Sequence, residues 1–65
     1  MKLSEKFAEV AATRNPEEAG NVAAFCRFRL GWNYSKVASQ AKKYGGIEAN
    51  DWEELLYESD ALDSF

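Results

Sequence analysis

The fold is decided by the stretch Asn15-Pro16-Glu17-Glu18 and by the mostly apolar run that follows it as far as Gly31. Asn15 is a preferred N-cap residue, and Pro16 suits the first helical position because its missing N–H has no partner there in any case. A glutamate behind the cap can bond back to it. Gly31 tolerates the left-handed conformation that commonly ends a helix. The stretch therefore predicts a helix over residues 16 to about 30.

This helix is predicted to be central and packed on two sides. Its apolar residues cover more than half of its circumference and leave only a narrow strip of other residues. Arg27 and Arg29 then require solvent or carboxylate partners. The apolar residues are Val22, Ala23, Phe25, Cys26, Phe28 and Leu30.

Further helices are predicted on both sides of it. Apolar spacing indicates one over residues 4–13 and another over residues 34–44, which ends at the glycine pair 45–46. A capping-box pattern at residues 50–53 opens a last helix that fades near residue 59. The predicted N-caps of these helices are Ser4, Asn33 and Asn50.

The chain is expected to fold as one all-α domain. Its 65 residues suffice for a single core, and β-branched residues are scarce and never alternate with polar ones. We predict a small single-domain bundle of three to four short helices over residues 1–59, followed by an acidic, frayed C-terminal tail over residues 60–65. Some of the many aromatic side chains are expected to remain at the surface.

The side chains indicate no enzyme, no cofactor and no metal site. Histidine is absent and Cys26 is the single cysteine, which removes zinc sites and histidine-dependent nucleophilic catalysis. Cys26 lies among apolar residues and is predicted to be a buried, unreactive thiol. The glutamate pairs at helix starts are explained by capping and by the helix dipole.

A cytoplasmic protein without membrane contact is expected. No apolar run approaches the roughly 20 residues of a membrane span. The first six residues, Met-Lys-Leu-Ser-Glu-Lys, lack the apolar stretch of a signal peptide. A single cysteine also fits a reducing compartment.

Charge is divided unevenly along the chain. Residues 1–47 carry all eight basic residues and four acidic ones, whereas residues 48–65 carry seven acidic residues and no basic one. Carboxylates interleaved with aromatic and leucine side chains suit a basic, apolar-floored site on a larger cytosolic protein. The predicted partner-binding residues, with the tryptophan as anchor, are Trp52, Glu53, Glu54, Leu56, Tyr57, Glu58 and Asp60.

Two resemblances bear on such a partner. Tiny acidic helical proteins of this style resemble phage or mobile-element factors that block host machinery such as RNA polymerase, nucleases or CRISPR effectors, which implies a stoichiometric inhibitor or adaptor. The acidic end that finishes in Phe65 resembles the tails of bacterial and phage single-stranded-DNA-binding proteins. Those tails dock a terminal aromatic residue and its carboxylate in basic pockets of other proteins. No strand-rich nucleic-acid-binding barrel precedes the tail of this chain, so the resemblance implies only the mode of docking.

Nucleic-acid binding and self-association remain open as alternatives. The segment Trp32–Ala41 resembles the first helix of a helix-turn-helix motif, which implies a small nucleic-acid-binding regulator. Its glycine turn comes later than usual, and the next helix is acidic and would be repelled by DNA. The residues of this alternative nucleic-acid face are Arg27, Arg29, Lys36, Lys42 and Lys43. A homodimer would instead bury the surplus aromatic side chains.

Overall fold

The computed structural model describes residues 2–65, so Met1 of the predicted domain lies outside the described residues. Within this range the chain forms helices and no strand, which confirms the prediction of a small all-α bundle. The elements are α1 (Leu3–Thr13), α2 (Pro16–Arg29), α3 (Tyr34–Gly45), α4 (Ala49–Glu58) and a 3₁₀ turn (Leu62–Ser64).

Two of the predicted N-caps are confirmed. The side-chain oxygen of Asn15 accepts a hydrogen bond from the N–H of Glu17 at 2.9 Å, and Pro16 occupies the first turn of α2. Asn33 accepts from the N–H of Lys36, also at 2.9 Å. Both helices begin where the local capping signal places them, because each cap satisfies an N–H that has no partner inside its helix.

The other two predicted N-caps, Ser4 and Asn50, are wrong. Both residues lie inside their helices, which follow Lys2 and Glu48 and have no side-chain cap bond. The backbone carbonyl of Lys2 already accepts the first helical bonds of α1. Before α4, Ile47 is fully buried and thereby fixes where the chain leaves the bundle and turns helical.

The core forms around Trp52, which is fully buried and whose ring centroid lies 5.7 Å from that of Phe7. Helix α1 packs mainly against α3, and α2 mainly against α4. The first pair approaches closely at Gly45, where a Cβ atom would stand 2.8 Å from the carbonyl oxygen of Phe7. The remaining core residues are Val10, Ala19, Val22, Ala23, Cys26, Val37, Ala41, Ile47, Leu55 and Leu56.

Helix α2 is buried on one side only, so the prediction of a central helix packed on two sides is wrong. Phe25 and Phe28 are 49% and 69% exposed, and Leu30 is also exposed. Four helices leave no element to cover the outer side of α2. The expectation that some aromatic side chains stay at the surface is confirmed by Phe25, Phe28, Tyr44 and Tyr57.

The C-terminal tail contacts the bundle where the sequence predicts fraying. After the left-handed residue Asp60 (φ 62°), the N–H of Ala61 donates to the carbonyl of Leu56 at 3.0 Å. The ring of Phe65 meets that of Tyr34 edge-on, with 5.6 Å between their centroids. The apolar residues of the tail therefore pack against the core.

Candidate functional site

The outer face of α4 is acidic and carries one large aromatic ring. Residues 50, 53, 54 and 57 share this face because helix positions three and four apart are neighbours. They line a shallow depression of about 330 Å³. Tyr57, one of these lining residues, is 72% exposed. We call Glu53, Glu54, Tyr57 and Glu58, all exposed, the α4 acidic face.

The carboxylates of the α4 acidic face form no ion pair within residues 2–65, whereas two carboxylates near the start of α4 do. Asp51 lies 3.5 Å from Arg14, and Glu48 lies 3.6 Å from Lys42. Those two pairs neutralise the first turn of the helix locally. The negative charge that remains toward solvent therefore comes from the later turns of α4.

Trp52 and Leu56 are fully buried core residues, so the prediction that both bind a partner, with Trp52 as the anchor, is wrong. Positions 52, 55 and 56 form the one apolar stripe of α4 and turn it toward the bundle. The indole Nε1–H has no acceptor among the described residues, which leaves packing alone to hold the ring. Tyr57 takes the place of the exposed aromatic residue. Asp60 is exposed in the turn just beyond α4.

The α4 acidic face affects the pKa of Tyr34, which lies at the start of α3. Burial raises the pKa of its hydroxyl, and the negative charge of Glu53 raises it further. A tyrosine of raised pKa stays protonated at neutral pH and can donate a hydrogen bond but not act as a base.

The basic residues of the alternative nucleic-acid face are divided between two helices and several directions. On α2, Arg27 and Arg29 are two positions apart, and such residues do not share a helix face. The guanidinium of Arg27 lies 5.7 Å from the ring centroid of Phe28. Arg29 is exposed. The two arginines therefore do not point at one phosphate backbone.

On α3 the three lysines already contact other side chains of the chain. The ammonium of Lys36 lies 4.7 Å from the ring centroid of Trp32, and that of Lys43 lies 5.4 Å from Tyr44. Lys42 forms the ion pair with the residue before α4. All three lysines remain exposed. The ion pair offsets the charge of Lys42, whereas the ring contacts leave Lys36 and Lys43 fully charged.

The thiol of Cys26 is fully buried in the core, which confirms the prediction of a buried cysteine. Burial raises its pKa from 9.0 to about 11. The thiolate is the reactive and metal-binding form, so this residue is a poor nucleophile and a poor ligand at neutral pH. It acts as a small apolar side chain.

We expect Cys26 to resist alkylation in the folded protein. The raised pKa lowers the thiolate fraction about 100-fold at pH 8, and burial adds a barrier to the reagent. Iodoacetamide labelling followed by mass spectrometry should therefore be at least ~100-fold slower in buffer than in concentrated guanidinium. Equal rates would show that the thiol is accessible.

The stability of the fold should also fall as the pH rises from about 9 toward 11, because the Cys26 thiol of the unfolded chain releases its proton at a lower pH than the buried thiol does.

A second exposed surface lies between α1 and α2, and the sequence did not indicate it. Leu3 and Val10 from α1 face Val22 and Phe25 from α2 across a groove of about 470 Å³. The exposed ring of Phe28 lies one turn beyond Phe25. Local hydrophobicity assigned both phenylalanines to the core, so no sequence signal separated them from buried residues.

Geometry and charge are the observations that bear on function. No cluster of three or more acidic or cysteine side chains among residues 2–65 is arranged to hold a metal ion. Over the same residues, every helix is too short or too polar to cross a membrane. No family model, curated protein or solved structure matches the chain.

Proposed function

We propose that the protein is a non-enzymatic, stoichiometric binding factor that presents the α4 acidic face to a basic site on a larger cytoplasmic protein, as an inhibitor or adaptor. One observation supports this proposal above the others. The exposed carboxylates of Glu53 and Glu54 line the same depression as the exposed ring of Tyr57, and neither has a basic partner within residues 2–65.

The two kinds of side chain on this face have separate roles in binding. Rim carboxylates attract a basic surface over a distance of about 8 Å at physiological salt and mainly raise the association rate. The ring of Tyr57 supplies the apolar contact, and tyrosine is among the residue types that dominate interface energies. Binding should therefore weaken as salt is raised, while the aromatic contact sets the residual affinity.

Basic sites with apolar floors are common where proteins hold nucleic-acid phosphates and stack bases. We therefore propose partners of this class, among them RNA polymerases, nucleases and CRISPR effectors, blocked by a factor of phage or mobile-element origin. The α4 acidic face is small and would cover part of such a groove. Nucleic acid and the protein would then compete for the same basic residues.

Reversing two charges on this face should weaken partner capture at least about tenfold, because it places like charges against the basic site. The change is Glu53→Lys with Glu54→Lys. The N-terminally tagged protein would be used in a pull-down from lysate with and without nuclease, and the captured proteins quantified by mass spectrometry. Far-UV circular dichroism checks that the helices persist.

The matched control is Glu5→Lys with Glu17→Lys, which changes the net charge equally at two exposed positions on α1 and α2. It should leave capture close to that of the wild type. Equal losses in both double variants would assign the effect to net charge and contradict the α4 acidic face as the interface. Recovery that vanishes with nuclease would favour nucleic-acid binding through the basic residues.

A further inference from the structure

The outer side of α2 combines aromatic rings with opposite charges at its two ends. At about 100° per residue, positions 18, 21, 22, 25, 28 and 29 fall within one sector of roughly 120°. Along the helix axis, Glu18 is the first residue of this sector and Arg29 is the last, and they lie about 16 Å apart. Between them stand the exposed rings of Phe25 and Phe28. We call these residues the α2 stripe.

The first part of the α2 stripe, from Glu18 to Phe25, forms one wall of the groove between α1 and α2, and Phe28 and Arg29 lie beyond it. Leu3 and Val10 supply apolar surface on the opposite wall. With a volume of about 470 Å³, the groove accepts an aromatic side chain from outside. An apolar groove therefore lies beside projecting aromatic rings, which gives one surface both halves of a self-complementary contact.

We propose that a second copy of the chain covers this surface, in a two-fold dimer whose α2 helices run antiparallel. A two-fold contact uses the same patch on both copies, so residue i meets j and j meets i. With the axis between Val22 and Phe25, Glu18 of each copy faces Arg29 of the other. The exposed rings of one copy then enter the groove of its mate.

The charges at the two ends of the α2 stripe favour a second copy of the chain over an unrelated apolar partner. The acidic residue lies near the start of α2 and the basic residue at its end, so only an antiparallel mate places opposite charges together at both ends of the contact. Arg29 has no carboxylate partner within residues 2–65. The hydroxyl of Thr13 donates to Glu18 at 3.2 Å, which holds that carboxylate at the edge of the groove.

The exposed apolar area is small and fits a weak dimer. If each ring offers about 200 Å², the exposed parts of Phe25 and Phe28 sum to roughly 240 Å² of aromatic surface per copy. That is the apolar centre of a small interface, below about 1,200 Å² in total, which is the size of weak and transient complexes. We therefore expect a concentration-dependent dimer and not a permanent one.

The first test exchanges the charges at the ends of the α2 stripe, measured by sedimentation equilibrium of the full chain from micromolar to millimolar concentration. Glu18→Arg alone and Arg29→Glu alone should each weaken association at least about tenfold. The double variant should restore it, because opposite charges face each other again. Failure of the double variant to recover would overturn the antiparallel arrangement.

The control for charge is Glu17→Arg, which makes the same change one position earlier and outside the α2 stripe. It should leave the association constant within about twofold of the wild type. A loss equal to that of Glu18→Arg would mean that net charge or the helix dipole, and not the facing pair, governs association, which contradicts the proposal.

The second test removes an exposed ring. Phe28→Ser should give a monomer at every concentration, whereas Tyr57→Ser, at an equally exposed position on α4, should leave the dimer intact. A wild type that stays monomeric at millimolar concentration would overturn the proposal, as would a dimer lost only with Tyr57→Ser. None of these residues except Tyr57 belongs to the α4 acidic face, so dimerisation and partner capture can fail independently.

Discussion

Trp52→Ala is expected to remove a large part of the free energy that stabilises the fold. The indole is fully buried, and its ring lies 5.7 Å from that of Phe7 at the centre of the core. Truncating a buried aromatic side chain to alanine costs about 3–5 kcal/mol. Domains of this length have a total stability of only about 3–10 kcal/mol. Urea denaturation followed by far-UV circular dichroism would measure the loss.

Tyr57→Ala is the matched control, because it truncates an aromatic residue of the same helix that is mostly exposed. Its expected effect is within about 0.5 kcal/mol. Trp52→Phe should fall between the two, since it keeps a ring and removes an N–H that has no acceptor among the described residues. If Trp52→Ala were as stable as the wild type, the indole would lie outside the core and would again be a candidate surface anchor.

The sequence predicted the features of this fold that depend on local chemistry. The caps at Asn15 and Asn33 form from atoms within three residues of each other, so short-range pattern is enough to locate them. The start of α4 depends on burial of Ile47, which is a tertiary contact. Local pattern therefore placed that cap at Asn50, two residues too late.

The buried side of a helix could be predicted from the spacing of its apolar residues on α4 but not on α2. Phe25 and Cys26 are adjacent and both apolar, yet one is exposed and the other fully buried, because only the positions of α1 and α4 decide which side is covered. On α4 the signal was present. Trp52 and Leu56 share the spacing of a single apolar stripe from which Tyr57 is rotated away, and helical periodicity by itself is enough to identify the buried residues there.

The acidic part of the candidate site was predictable because charge is a property of composition. Residues 48–65 carry no basic residue, so none of their carboxylates can form an ion pair within that segment. Which ones are neutralised was not predictable. Asp51 pairs with Arg14, 37 positions earlier in the chain, and only the packing of α1 brings the two within 3.5 Å.

Gly45→Ala is expected to destabilise the fold by about 1–3 kcal/mol, although alanine normally strengthens a helix. The added Cβ would stand 2.8 Å from the carbonyl oxygen of Phe7 and 3.3 Å from its carbonyl carbon. Both atoms belong to the backbone of α1 and cannot rotate away, so α1 and α3 must separate. The Phe7–Trp52 contact would loosen as a result. Thermal and urea unfolding would measure the change.

Gly20→Ala separates this close approach from a general effect of replacing glycine in a helix. Its Cβ would also meet an atom at 2.8 Å, but that atom is the hydroxyl of Ser59, which can turn away at the loss of one hydrogen bond to Leu56. The Cβ of Ser59, at 3.1 Å, lies in the turn after α4 and needs to move by only a few tenths of an ångström. The gain in helix propensity, about 1 kcal/mol, offsets that loss. A small effect at Gly20 beside a large one at Gly45 would establish that backbone contact between α1 and α3 limits the core. Equal effects would contradict it, because both substitutions add the same methyl group and differ only in what that group meets.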